Sequence, residues 1–275
     1  PFGGRGLSGT GPKAGGPNYL PRLMKERATP KVASQVENYA DDKAIQSDAT
    51  AVTEANNLMD SALAVENQWR LTPLISRISF VRQLLAKIAN VEIVEELAED
   101  LNQTLATART QLIAIERRLR APIHLPGPTG ESNTLHLEPR GVLVCFADKD
   151  VTFEYWMLSI VTALATGNLV ISVVSDLFYE EALTFKEKLA STGAPNSVFQ
   201  VANLCHLEAL LMNKGLTGVV VDSRTDRSAY ISAKLAERQG AILPVITAEY
   251  NDNLIQRLVT EKTISIDTTA SGGNT

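Results

Sequence analysis

GVLVCFADKDVTFEYWMLSIVTALATGNLVISVVSD, residues 141–176, is the stretch that decides the fold. Two short β-branched runs, GVLVCFA and NLVISVVS, stand on either side of a helix through Phe153–Thr166. Strands joined by a helical crossover run parallel, and near-continuous apolar strands are those buried on both faces. The alternation continues downstream. A helix through Tyr179–Ala190, the run SVFQVA, a short helix through Leu204–Met212 and the run GVVVD follow in order. Then come a helix near Ser228–Gln239, the run AILPVITA and a last run, TISIDTT. Strands alternating with amphipathic helices specify an α/β fold with a doubly wound parallel sheet. That fold by itself assigns no chemistry.

Upstream the period changes to that of helices. Val52, Ala55, Leu58, Ala62, Val65 and Trp69 recur at three- and four-residue steps, and Leu74, Ile78, Val81, Leu84 and Ile88 do the same after Pro73. A third stripe runs from Val94 and Leu97 through Leu101, Leu105, Ala108, Leu112 and Ile115 to Leu119. Glu95, Glu96 and Glu99 crowd its start and Arg117, Arg118 and Arg120 its end, as the helix macrodipole favours. The helical segment therefore spans 51–120, behind a polar, patternless linker at 25–50. Residues 121–140 are read as a connection, because four prolines and three glycines in 121–141 cannot be helical.

The chain has 275 residues, with 44% hydrophobic and 21% charged residues, as in a globular protein. A net charge of −5 argues against nucleic acid or an anionic membrane as the main partner. No apolar run reaches the length of a membrane span, and no signal peptide is recognisable. Two cysteines, Cys145 and Cys205, provide no disulfide framework and suit a reduced, cytoplasmic setting. His124, His136 and His206 are scattered without a metal-ligand spacing, so no metal is expected.

The amino terminus, PFGGRGLSGTGPKAGGPNYLPRL, carries seven of the 17 glycines in its first 16 residues. It is not a phosphate loop. Gly6 and Gly11 have the right spacing, but Pro12 follows where the motif needs Lys and a hydroxyl residue, and proline removes an N–H that would hold a phosphate. No hydrophobic strand precedes it, as a dinucleotide fingerprint requires.

PFGG-x-x-x-SGTG-x-KAGGP does resemble the C-terminal end of the aldehyde dehydrogenase catalytic domain. Its SGTGPKAGGP form is similar to that of the L-glutamate γ-semialdehyde dehydrogenases of bifunctional proline utilization flavoenzymes. LPGPTGESNTL, PRGVLVC and TISIDTTASGGNT are similar to the C-terminal extension of those enzymes. ALATGNLVISVVSD also resembles the family pattern ALAxGNxVVxKPSE, so the α/β part looks like a second aldehyde-dehydrogenase-like Rossmann unit.

Carried over motif by motif, the resemblance implies lost chemistry. The asparagine that donates to the oxyanion reads Asp150, an acceptor. The ribose-binding lysine reads Val173. The glycine at the pyrophosphate reads Ser223, beside Asp222. Neither Cys145 nor Cys205 has a setting that favours a thiolate. Glu249 lies near the place of the general-base glutamate, which has no task without a nucleophile. No catalytic, cofactor or metal residue is expected in this chain. Phe2 is the one site residue the resemblance implies, packing on the aliphatic chain of glutamate semialdehyde.

The whole enzyme, by the same resemblance, uses FAD to oxidise proline and NAD to oxidise glutamate semialdehyde to glutamate. Residues 1–24 would end its catalytic domain, 141–262 would form a non-catalytic Rossmann domain, and 263–275 a docking strand. This piece would bind no cofactor, cover the substrate channel and support assembly. Its partners would be the upstream dehydrogenase domain, or that of a partner subunit in a homo-oligomer. An autonomous NAD-binding or regulatory module is the alternative. The docking strand is expected to add to the dehydrogenase domain or a partner chain, because a terminal strand leaves an edge that proteins pair or cover.

Overall fold

The computed structural model describes residues 3–4, 9, 11–23, 47–91, 101–225, 227–247 and 252–267. Four helices come first: α1 (Tyr19–Leu23), α2 (Ala49–Leu71), α3 (Leu74–Ile88) and α4 (Leu101–Leu119). Strands β1 (Ile123–Leu125), β2 (Glu131–Pro139) and β3 (Val142–Ala147) follow, then α5 (Phe153–Ala165), β4 (Leu169–Val174) and α6 (Asp176–Ala190). The remainder is β5 (Phe199–Asn203), α7 (Leu207–Met212), β6 (Leu216–Val220), α8 (Arg227–Ala236), β7 (Val245–Ile246), α9 (Asp252–Arg257) and β8 (Val259–Asp267).

Five strands form one parallel sheet in the order β5-β4-β3-β6-β7, as the alternating pattern predicts. The chain starts at the central β3, builds outward through β4 and β5, then crosses back to lay β6 on the other side. That reversal puts a topological switch point between β3 and β6, where open α/β sheets keep a crevice at the carboxyl ends of their strands. Every residue of β3 and β4 is buried, so both faces of the sheet are covered.

Helix α5 lies on β3 and β4 with α3 and α4 packed against it, while α2 crosses β3, β4 and β5. All but one residue of α5 is buried, which is why its sequence is apolar nearly all round instead of striped. Trp156 sits among Phe153, Phe178 and Phe185 with ring centroids 5.0–5.5 Å apart. Its indole N–H donates to Ser172 Oγ at 2.9 Å, so the ring is buried without an orphaned donor.

The helix stripes hold with local changes. Asp48 caps α2 by accepting the Ala51 N–H at 2.8 Å, so the first helical turn begins inside the segment read as a linker. The buried face of α2 is Ala51, Ala55, Met59, Ala62 and Trp69, and Val52 points outward. In the third stripe Val94, Leu97, Glu95, Glu96 and Glu99 lie outside the described residues. Arg117 and Arg118 close α4 at its negative end.

Helix α5 ends in the turn Thr166-Gly167-Asn168. Gly167 has φ +97°, and a Cβ there would lie 3.1 Å from the Arg77 guanidinium carbon. That buried guanidinium donates to the Ala165 carbonyl at 3.3 Å and the Thr72 carbonyl at 2.6 Å, satisfying the C-terminal ends of α5 and α2. Burial pulls its pKa down to about 10.

The largest departures from the sequence reading lie in a second, antiparallel sheet, β1-β2-β8. The stretch read as a bare connection carries β1 and β2. Pro126, Gly127, Pro128 and Gly130 fall between the two strands, and Pro139 is the last residue of β2. The proline-free run between them is free to form a ladder. Strand β8 starts at Val259, four residues before the expected Thr263, and pairs with β2 of its own chain along its whole length, Leu135 facing Thr263. The boundary at 262–263 therefore falls inside one strand, and residues 268–275 lie outside the described residues. AILPVITA contributes only Val245 and Ile246 as strand. Pro244 has no N–H to add, though its carbonyl accepts the Val219 N–H at 3.0 Å.

Candidate functional site

The switch-point crevice is the place where this topology would hold a ligand, and two carboxylates close it. Asp148 directly follows β3, and Asp222 stands two residues beyond β6. Their exposures are 6% and 2%. Asp148 Oδ1 accepts the Asp150 N–H at 3.1 Å, and its Oδ2 accepts the Thr225 hydroxyl at 3.1 Å, with Arg227 Nε at 3.9 Å. The Thr225 bond ties the segment after β6 to the segment after β3, across the switch point. Asp222 accepts the backbone N–H of Arg224 at 2.9 Å and grips the Arg224 guanidinium through both oxygens, at 3.0 Å from Nε and 2.6 Å from Nη2. Tyr155 completes the floor, its hydroxyl donating to the Val221 carbonyl at 3.0 Å.

Burial raises the pKa of Asp148. The Asp150 charge adds to the rise, while the bonds from the Asp150 N–H and Thr225, and the charge of Arg227, pull it back. The Tyr155 phenol is likewise pushed up, first by burial and then by Asp222. Such a crevice can hold its own arginines and resists phosphate. A pyrophosphate seated there would face two buried carboxylates whose guanidinium and hydroxyl partners are already engaged. These residues do not fit NAD.

The positions compared with the cofactor motif have these places in the fold. Asp150 is exposed on the turn before α5, Val173 is fully buried in β4, and Ser223 is half-buried beside Asp222. Phe2 and Glu249 lie outside the described residues. Cys145 is buried in β3, where burial pushes its thiol up.

Cys205 has closer company than its sequence context suggested. Its Sγ lies 3.5 Å from Nδ1 of His206, whose Nε2 is 2.8 Å from Glu54 Oε2 on α2. The contact does not make a nucleophile. Nδ1 also accepts the Asn203 N–H at 3.1 Å, which leaves Nε2–H to donate to Glu54. Burial, with the charges of Glu54 and Asp48, raises the Cys205 thiol. Among the described residues no three His, Cys, Asp or Glu side chains gather as metal ligands, and no helix is long and apolar enough to cross a membrane.

Sequence reasoning passed over Asp148, Thr225, Arg227 and Glu54. A signal for the first was present: both central strand runs end in aspartate, CFAD and VVVD. Glu54 had none, since 152 residues separate it from His206.

The sequence profile of the aldehyde dehydrogenase family matches residues 26–243. Over its whole length the chain is 28% identical to the bifunctional protein PutA of Salmonella typhimurium LT2 and 30% identical to that of Escherichia coli K12. It spans 17% of the length of each of those relatives. A crystal structure of proline utilization A from Bradyrhizobium japonicum superposes on 75% of the chain, with 23% of its own length covered, at a TM-score of 0.63 and 24% identity. The glyceraldehyde-3-phosphate dehydrogenase GapN of Methanocaldococcus jannaschii matches 66% of the chain, over 44% of its own length, at a TM-score of 0.56 and 15% identity. At such identities these two comparisons concern fold alone.

Proposed function

We propose a function from one premise: this chain belongs to the aldehyde dehydrogenase family. Within that family it is the C-terminal, non-catalytic part of a bifunctional proline-catabolising oxidoreductase. In the complete enzyme an FAD-dependent domain oxidises proline to pyrroline-5-carboxylate, which hydrolyses to glutamate semialdehyde. An NAD-dependent domain then oxidises that aldehyde to glutamate. The present residues cover the passage between those sites and support a homo-oligomer, with the upstream dehydrogenase domain or a partner subunit as their neighbour. Phe2 serves the aldehyde site, and the terminal stretch 263–275, which begins within the edge strand β8, docks on that neighbour.

The similarity to bifunctional PutA proteins over essentially the whole chain, at 27–30% identity, carries this reading. The carboxylates at the switch point support the non-catalytic part of it, since they disfavour the dinucleotide that catalysis would need. The test is a titration of NAD⁺ into this chain followed by thermal melting, with an assay for NADH formation from glutamate semialdehyde. A ligand selective for the folded state must raise its stability, by about 2.7 kcal/mol at a hundredfold excess over Kd. No shift and no turnover are expected from this piece alone, whereas the full-length polypeptide should form NADH when supplied with proline. A clear rise in melting temperature with NAD⁺ would favour an autonomous nucleotide-binding module instead.

A further inference from the structure

At the opposite end of the sheet from the crevice lies a cavity of about 460 Å³, between the amino-terminal segment and the start of β6. Its walls share no residue with the carboxylate cluster of the switch point. Five cationic side chains line it, those of Lys13, Arg22, Arg140, Lys214 and Arg238, against a single carboxylate, that of Glu261. The carboxylate is already committed. Glu261 Oε2 accepts the Lys13 backbone N–H and Oε1 the Asn18 amide, each at 2.6 Å.

Three of the cations have no acidic partner among the described residues. Arg238 donates through Nη1 to the carbonyls of Leu211 and Asn213, and its buried Nε has no partner among the described residues. Arg22 is half-buried, and the pKa of its guanidinium falls to about 10 because of burial and the like charge of Arg257. Lys214 is exposed at the cavity wall. Half-buried guanidinium groups without an acidic partner, one of them also facing like charge, are held at a cost that a bound anion would remove. Part of the remaining wall is apolar, Leu137, Leu243, Pro244 and Val259 with Ile242 76% exposed at the same site, and the polar Thr217, Gln239, Gln256 and Thr260 complete it. A large exposed isoleucine beside unneutralised arginines is a surface for a molecule with both characters.

We propose that this cavity binds a small organic anion, a carboxylate carried on a short apolar body. The carboxylate is held by Arg22, Arg238 and Lys214, and the body lies against Leu243, Pro244 and Ile242. A dedicated phosphate site would have no use for that apolar wall.

Calorimetric titration of the full-length polypeptide with hexanoate, hexanamide and inorganic phosphate tests the assignment. Hexanoate is expected to bind, and hexanamide and phosphate to bind at least about tenfold more weakly, a difference of about 1.4 kcal/mol. Replacing both guanidinium groups, Arg22→Gln with Arg238→Gln, should remove this hexanoate event. Lys214→Glu alters an exposed residue that no packing depends on, so it keeps the test valid if the double variant misfolds. It should weaken hexanoate by a similar factor and steepen no other transition. Hexanamide binding as well as hexanoate, phosphate binding as tightly, no hexanoate heat at all, or hexanoate affinity unchanged in both variants would each overturn the proposal.

Discussion

Replacing Asn168 with alanine should destabilise the protein far more than its place in a turn suggests. The side chain is wholly buried. Its Oδ1 accepts the backbone N–H groups of Arg140 at 2.7 Å and Gly141 at 3.2 Å. Its Nδ2 donates to the Leu258 carbonyl and to Thr166 Oγ1, both at 2.9 Å. One amide thus joins the end of β2, the start of β3 and the segment before β8 to the turn that opens β4. Truncation removes the bonds and leaves buried donors and an acceptor without partners, each costing about 1–3 kcal/mol. Allowing for shared partners, the loss should be about 3–5 kcal/mol. At about 2–4 °C per kcal/mol in a domain of this size, the melting temperature should fall by about 6–20 °C. Urea unfolding of Asn168→Ala should show a lower midpoint at unchanged slope, since the surface exposed on unfolding stays the same. Asn67→Ala is the control. Its amide makes one exposed bond, to Arg70 at 3.1 Å within α2, and alanine is the better helix former, so no loss is expected. A loss below about 1 kcal/mol for Asn168→Ala would refute the claim that this amide ties the two sheets together.

Two further outcomes follow from the same geometry. Gly167→Ala should cost about 2–3 kcal/mol, because the left-handed backbone is strained for alanine and the new Cβ presses on Arg77. Gly193→Ala is also left-handed, at φ +89°, but its Cβ would meet only Phe80 at 3.9 Å, so it should cost about half as much. Equal losses in chemical denaturation would exclude the Arg77 contact as a cause. Stability should also decline above about pH 9. The raised pKa values of Cys145 and Tyr155 mean that the unfolded chain releases these protons first, so stability present at lower pH is lost as pH rises. The slope should reach about 1.4 kcal/mol per pH unit for each group titrating, and Cys145→Ala should flatten its first part. A flat profile to about pH 10.5 would contradict the burial of both groups.

The parallel sheet was legible because a strand covered on both faces must be apolar at every position, and runs such as LVISVV leave few alternatives. Strands β1 and β2 were not, because nearly all their residues are only partly buried and need not be apolar. Ser132, Thr134, His136 and Glu138 alternate with Asn133, Leu135 and Leu137, a weak period hidden behind the flanking prolines and glycines. The start of β8 was missed for a related reason: Glu261 is a charged residue inside a strand, and Asn18 and Lys13 from the amino-terminal segment help to satisfy it. Contacts across hundreds of residues leave no local pattern. The switch-point aspartates were visible as residues, yet their closure by Thr225 and Arg227 required the sheet order.

The family motif ALAxGNxVVxKPSE separates by function once each of its positions has a place in the fold. The alanines, Gly167, Asn168 and the apolar strand residues carry the α5–β4 turn and its bonds to β2, β3 and the segment before β8. Those demands come from the sheet itself and hold whether or not a nucleotide binds. Val173 takes the place of the lysine that would reach the cofactor, and it is fully buried. A lysine at that point would have to carry a charge into the core or find an anion to hold it. A valine packed between neighbouring strands carries no such cost. The same logic applies at Asp222, which binds its own Arg224 where a cofactor-binding turn would leave backbone donors free. Folding and cofactor binding therefore draw on different positions of one motif, and this chain keeps the ones that the sheet demands.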